Sequence, residues 1–150
     1  MQEIPDDPGR RGAVAIVVRD ERMLVIRRSR SVVAPLTYCF PGGGIEGDET
    51  EPQALIREFR EEIGVTVQPV RRIWRNVTPW KVQLAWWLGA LEPDAQPVPN
   101  PAEVESVHWF TPAEMLRTPG LLESNREFLE LVLQGEIDLG LEPPGGFEVL

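Results

Sequence analysis

Glu58, Glu61 and Glu62 stand close together in a stretch with helical periodicity. At 100° per residue Glu62 lies about 40° to one side of Glu58 and Glu61 about 60° to the other, so the carboxylates share an arc of roughly 100°. Like charges three and four residues apart cost an isolated helix a few tenths of a kcal/mol per pair. Such a cluster is therefore either solvated or neutralised by a cation.

The segments around the glutamates must position them. Pro41-Gly42-Gly43-Gly44 reads as a loop, not regular structure, whose glycines let the backbone approach an ion or ligand closely. Thr50 and Gln53 fit a capping box, with Glu51 and Pro52 tolerated in the first turn. Leu55, Phe59 and Ile63 recur every four residues as a buried stripe, and Gly64 stops the helix. A helix over residues 51–63 then packs its apolar face inward and turns Glu58, Glu61 and Glu62 toward the glycine loop or the solvent.

Upstream, Ala13 to Val18 and Met23 to Ile26 read as two strands joined by a tight polar turn, each too short for a buried helix. Arg27, Arg28 and Arg30 follow the second strand. They are either a solvated strand end or contacts for substrate phosphates, which suit the forked donors of Arg. Ser31 to Phe40 reads as loop. Cys39 reads as a small buried hydrophobe with no neighbour to make it a nucleophile. Downstream, Val65 to Val77 reads as a strand broken near Pro69, and Lys81 to Ala90 alternates as a strand with Trp86 and Trp87 on opposite faces. Most of the tryptophans belong to core, but Trp80 and Trp87 are candidates to stack on a base. Glu92 to Pro101 is a loop, Val107 to Phe110 a last strand, and helices open at Thr111 and near Leu121. His108, the one histidine, reads as structural.

The 150 residues, 42% hydrophobic and 26% charged, suit one domain. Its expected bounds are 13–134, with a flexible lead-in at 1–12 and an appendage of the same domain at 135–150. A net charge of -9 argues against general nucleic-acid binding and against a membrane surface. A single cysteine excludes an internal disulfide, and no apolar run is long enough to span a bilayer. With no apolar signal core at the N-terminus, the expected location is the cytoplasm. Monomer and homodimer remain open.

The stretch from Gly43 to Val65 resembles the box of the Nudix hydrolases: Gly43, Glu49, Arg57-Glu58-Phe59-Arg60-Glu61-Glu62, then Gly64-Val65. Only Phe59 departs, being aromatic where an aliphatic residue is usual. The resemblance implies an α/β fold, the Nudix α/β/α sandwich with a mixed β-sheet and the catalytic helix in the loop-helix-loop box. It implies hydrolysis of a nucleoside-diphosphate-linked compound with Mg²⁺ or Mn²⁺. Glu58, Glu61 and Glu62 fall on the family's metal-binding positions, with a loop carbonyl near Gly43 as a further ligand, a set suited to a hard divalent cation. Glu49 and Arg57 match the salt bridge that orients loop and helix. Glu58, Glu103 and Glu105 are candidates for the general base, and Arg27 and Arg28 occupy the place where relatives bind phosphate.

The substrate stays open among a nucleoside triphosphate, a dinucleoside polyphosphate and a nucleotide sugar. Neither the coenzyme-A motif nor the long aromatic-proline motif of dinucleotide pyrophosphatases is found, and Pro79 lies only near the position of a proline associated with ADP-ribose hydrolases. The alternative is a Nudix-fold module that binds a nucleotide without cleaving it.

Overall fold

Apolar alternation near the N-terminus builds the central hairpin. Strand β1 (Arg11–Arg19) turns through Asp20 and Glu21, both at positive φ, into β2 (Arg22–Arg28). Such left-handed turn residues match the twist of antiparallel strands. The computed structural model describes residues 10–140. The lead-in at 1–9 and the tail at 141–150, with Pro143-Pro144-Gly145-Gly146, lie outside the described residues.

β1 begins two residues before its apolar run because Arg11 and Gly12 are paired on β6 (Gln83–Ala90), which runs parallel to it. β5 (Gln68–Val77) lies antiparallel on the far side of β6, with register shifts at Pro69/Arg71 and Arg72/Trp74. On the other side, β2 pairs with the two-residue β3 (Tyr38–Cys39) and with β7 (Val104–Phe110). The described sheet is mixed.

Four expectations are corrected. Tyr38–Cys39 is strand β3 where a loop was expected, and β7 begins at Val104, before the expected Val107. Gly42–Gly44 is a strand, β4, paired antiparallel with Gly12, Ala13 and Val14 of β1. Glycine weakens a strand without forbidding it, and here a neighbouring strand in space supplies the hydrogen bonds. Arg27 and Arg28 lie within β2 instead of after it, held there by β7.

Helix α1 (Glu51–Ile63) has the expected bounds. Both halves of the Thr50–Gln53 capping box are formed, and Gly64 closes the helix in the left-handed conformation, φ 66°. Leu55, Phe59 and Ile63 are fully buried against Ala13, Ala15 and Val17 of β1 and Leu24 and Ile26 of β2. The intervening residues Ile16, Met23 and Val25 face the other way, onto Phe40, Trp86, Phe128 and Leu129. That second core lies under α2 (Pro112–Leu116) and α3 (Glu123–Leu133), and the ring of Phe128 stacks on Trp86 at 4.6 Å. Ile137 and Leu139 pack into it as well. Period-two alternation thus gives the sheet two apolar faces, each covered by helix. No helix of the described residues is long and apolar enough to cross a membrane.

Phe59, the departure from the motif, fills the first core with 0% exposure. Phe59→Ala is expected to lower the unfolding free energy by about 3–5 kcal/mol through loss of apolar contact and an unfilled cavity. Phe59→Leu should cost less than about 1.5 kcal/mol. Urea denaturation of both variants checks the difference.

Candidate active site

Spacing on α1 sets Glu58 and Glu62 one turn apart on the side facing β4. Glu62 is buried, and its carboxylate accepts the Gly42 N–H at 3.1 Å. Beside it, a Cβ added to Gly43 would lie 2.5 Å from the carboxyl carbon of Glu58. Only glycine leaves the Glu58 carboxyl room to lie there against the strand.

Glu103, in the loop before β7, completes the group. Carboxylate oxygens of Glu58, Glu62 and Glu103 all lie within 4.8 Å of one another. Glu61 stands apart from them, half-exposed, and pairs with Arg57 at 3.3 Å. The structure therefore joins two of the three helical glutamates to a loop carboxylate that the sequence offered only as a candidate base. Glu105 is exposed and outside the group, at the irregularity where β2 and β7 shift register.

Arg57 is the hub of the surrounding pairs. It grips both oxygens of Glu49, at 2.7 and 2.9 Å, and donates to the Gly44 carbonyl at 2.9 Å and to Glu58 at 3.0 Å. These charge-assisted bonds tie loop, strand and helix together. The bond from Arg57 holds the Glu49 carboxyl down to about 2, and pairing raises the Arg57 guanidinium above its ordinary value.

The clustered carboxylates move the other way. Burial pushes Glu58 up to about 7 despite Arg57, with the charges of Glu61 and Glu103 adding to the rise. Burial and the charge of Glu58 raise Glu62 well above the usual range. Oxygen donors gathered at this spacing, with Glu58 and Glu62 disfavoured as bare anions, suit a hard divalent cation.

Arg27 and Arg28 point to opposite faces of β2, as successive strand residues must. Arg28 lies on the carboxylate side, where its charge acts on Glu62 and Cys39, and its Nε donates to the Val33 carbonyl at 2.7 Å. Arg27 donates to the Leu36 carbonyl and lies over the Tyr38 ring on the other face, where its charge acts on His108. The alternation that separates them was present in the sequence. Burial pushes the Cys39 thiol up to about 11, in keeping with an inert side chain.

Trp87 is half-buried against the first core, and its indole N–H donates to Glu51 at 2.8 Å. Trp80, 42% exposed, sits between β5 and β6. His108 contacts the Ser106 hydroxyl at 2.7 Å and stacks on Phe110, away from the carboxylates; burial and Arg27 lower its pKa.

Comparison with known proteins follows the same line. The NUDIX domain family matches residues 9–132. The NAD-capped RNA hydrolase NudC of Stutzerimonas stutzeri is 30% identical over 120 residues, which are 80% of this chain and 43% of that protein. The chain thus spans less than half the length of this relative. The CTP pyrophosphohydrolase of Escherichia coli is 32% identical over 109 residues, 70% of this chain and 78% of that protein. Among solved structures, the E. coli ORF135 protein superposes with a TM-score of 0.67 at 25% identity, covering 85% of this chain and 90% of that one. The MutT protein from Methanosarcina mazei Go1 does so at 0.71 and 20% identity, covering 84% and 94%.

The raised carboxyls give a pH dependence of stability. A group whose folded value is raised contributes stability below its unfolded value, near 4.5, and loses it as pH rises through the folded value, about 7 for Glu58. His108 acts in the opposite sense, one half-buried imidazole against two carboxyls. The metal-free protein should melt several degrees lower at pH 8 than at pH 5, Mg²⁺ should restore the difference, and Glu62→Gln should flatten it. Thermal melts with EDTA and with Mg²⁺ check all three.

Proposed function

The chain belongs to the Nudix family, and we propose that it is a divalent-cation-dependent pyrophosphohydrolase acting on a nucleoside-diphosphate-linked substrate. The observation that carries this reading is the convergence of Glu58, Glu62 and Glu103 against the Gly42–Gly44 strand. Glu58, Glu62 and Glu103 would hold Mg²⁺ or Mn²⁺, with Glu61 and the Gly43 carbonyl as further donors. Such a cation, when bound, neutralises phosphate charge and acidifies water.

The chain's own residues account for the rest. Arg28, on the carboxylate face, binds the phosphate oxygens of the substrate. A water oxygen forms a bond to phosphorus as the anhydride P–O bond breaks. The water's proton passes to a carboxylate of the cluster, and the departing phosphate leaves with the bond electrons. Glu58, with its raised pKa, and Glu103 are the acceptors the geometry favours, while Glu105 lies outside the group. Arg57 and Glu49 hold the helix against the glycine strand and take no part in bond making.

The relatives named for CTP and for NAD-capped RNA share a nucleoside diphosphate unit. The proposed substrate class is therefore that unit carried in a nucleoside triphosphate, a dinucleoside polyphosphate or a nucleotide sugar. A screen of these compounds with Mg²⁺ or Mn²⁺ tests the reading. At least one should be cleaved, and Glu62→Gln should lower its turnover by more than about 100-fold with the fold intact. No turnover of any compound alongside retained nucleotide binding would replace the enzyme with a binding module.

The two arginines offer a separate test. Arg28→Ala should raise KM several-fold with kcat little changed, while Arg27→Ala should leave both near the parent values. Steady-state kinetics on the substrate found in the screen measures this, and an equal effect of the two would remove the distinction between faces.

A further inference from the structure

Glu58 and Glu62 are fixed by the helix that carries them, but Glu103 comes from a loop. Like charges repel, and a loop carboxylate brought within 4.8 Å of two others would move into solvent unless the loop were fastened. The fastening runs through Asn100.

The last carbonyls of a helix lack partners within it. Here the Asn100 amide N–H donates to the Glu62 carbonyl at 2.9 Å, and its Nδ2 donates to the Glu61 carbonyl at 3.0 Å. Its Oδ1 accepts the Ala102 N–H at 3.2 Å, and its own carbonyl accepts the N–H groups of Glu103 and Val104 at 2.9 and 2.8 Å. One residue thus hangs the turn that bears Glu103 from the end of the helix that bears Glu58 and Glu62. An alanine there would keep the backbone bonds and lose both side-chain ones.

Ser29 grips the same turn from the opposite side. It is 3% exposed, its amide donates to the Glu103 carbonyl at 3.0 Å, and its hydroxyl donates to the Ala102 carbonyl at 3.1 Å. Ser29 directly follows Arg28, so the phosphate-binding arm and the loop carboxylate share one anchor.

We infer that Asn100 and Ser29 are positioning residues that hold Glu103 against Glu58 and Glu62 and so complete the cation-binding carboxylate group. This inference rests on the proposed reading of that group as a divalent-cation site. Neither residue lies in the glycine-to-valine stretch, and neither touches the cation or substrate; both act through Glu103.

Titration of the metal-free protein with Mn²⁺ tests it. Asn100→Ala and Ser29→Ala should each weaken Mn²⁺ binding by about 10-fold or more. In the Glu103→Gln background neither should weaken it further, because groups that act through one another are not additive. Hydrogen exchange on the metal-free protein should show the Ala102 amide, whose partner is the Asn100 Oδ1, losing protection in Asn100→Ala.

Glu62→Gln is the control for the underlying reading. If it leaves Mn²⁺ affinity intact, the cation site itself is wrong and this inference falls with it. If Glu62→Gln abolishes binding while Asn100→Ala and Ser29→Ala bind normally, the positioning role alone is overturned. Equal losses in the parent and Glu103→Gln backgrounds would also overturn it. Should Asn100→Ala fail to fold, Ser29→Ala carries the same comparison.

Discussion

The close approach of helix α1 to strand β4 is the contact on which the site depends. Gly43 has no Cβ, and the carboxyl of Glu58 occupies the space that one would need. The neighbouring Gly42 N–H is then free to bond Glu62, and the Gly44 carbonyl to accept from Arg57. A side chain at Gly43 would displace the Glu58 carboxyl from its place beside Glu62. The glycines therefore serve less as a flexible loop than as a thin strand against which an acidic helix face can lie.

That arrangement concentrates charge in a place water reaches poorly, and two effects compete there. Burial and mutual repulsion favour protonated carboxyls, as the raised values of Glu58 and Glu62 show. Arg57 opposes this for its neighbours, but its strongest hold is on Glu49, not on the cluster. The protein thus spends its cation on bracing the scaffold and leaves the inner carboxylates under-neutralised. A chain evolved only for stability would gain nothing from such an arrangement, whereas a divalent ion removes the repulsion in one step.

The sheet separates the two arginines by parity. Arg28 shares a face with Glu62 and Cys39, and Arg27 shares the other with Tyr38 and His108. Trp87 and Glu51 are bound to one another, and Glu51 also receives Arg72 and Arg75, so this corner reads as a polar seam between α1 and β5.

Much of this was legible in the amino-acid order. Helix α1, with its Thr50 cap and Gly64 stop, follows from local chemistry: hydrogen-bonding side chains at one end, a left-handed residue at the other and an apolar repeat between. The α/β class and the two faces of the sheet follow from period-two alternation in the same way. Strand β4 could not be read locally, because its hydrogen bonds come from β1, about thirty residues away. Nor could the membership of the carboxylate cluster. Helical spacing groups Glu58, Glu61 and Glu62 by angle alone, but the angle does not say which side the rest of the chain will close over. Glu61 pairs with Arg57 outside the group, and the loop fastened at Asn100 and Ser29 brings Glu103 in. The sequence by itself determined the helix, the brace residues and the chemistry their types allow, since these depend on neighbours along the chain. Tertiary structure alone decided which carboxylates meet and which arginine faces them, because those depend on contacts between segments that no local spacing encodes.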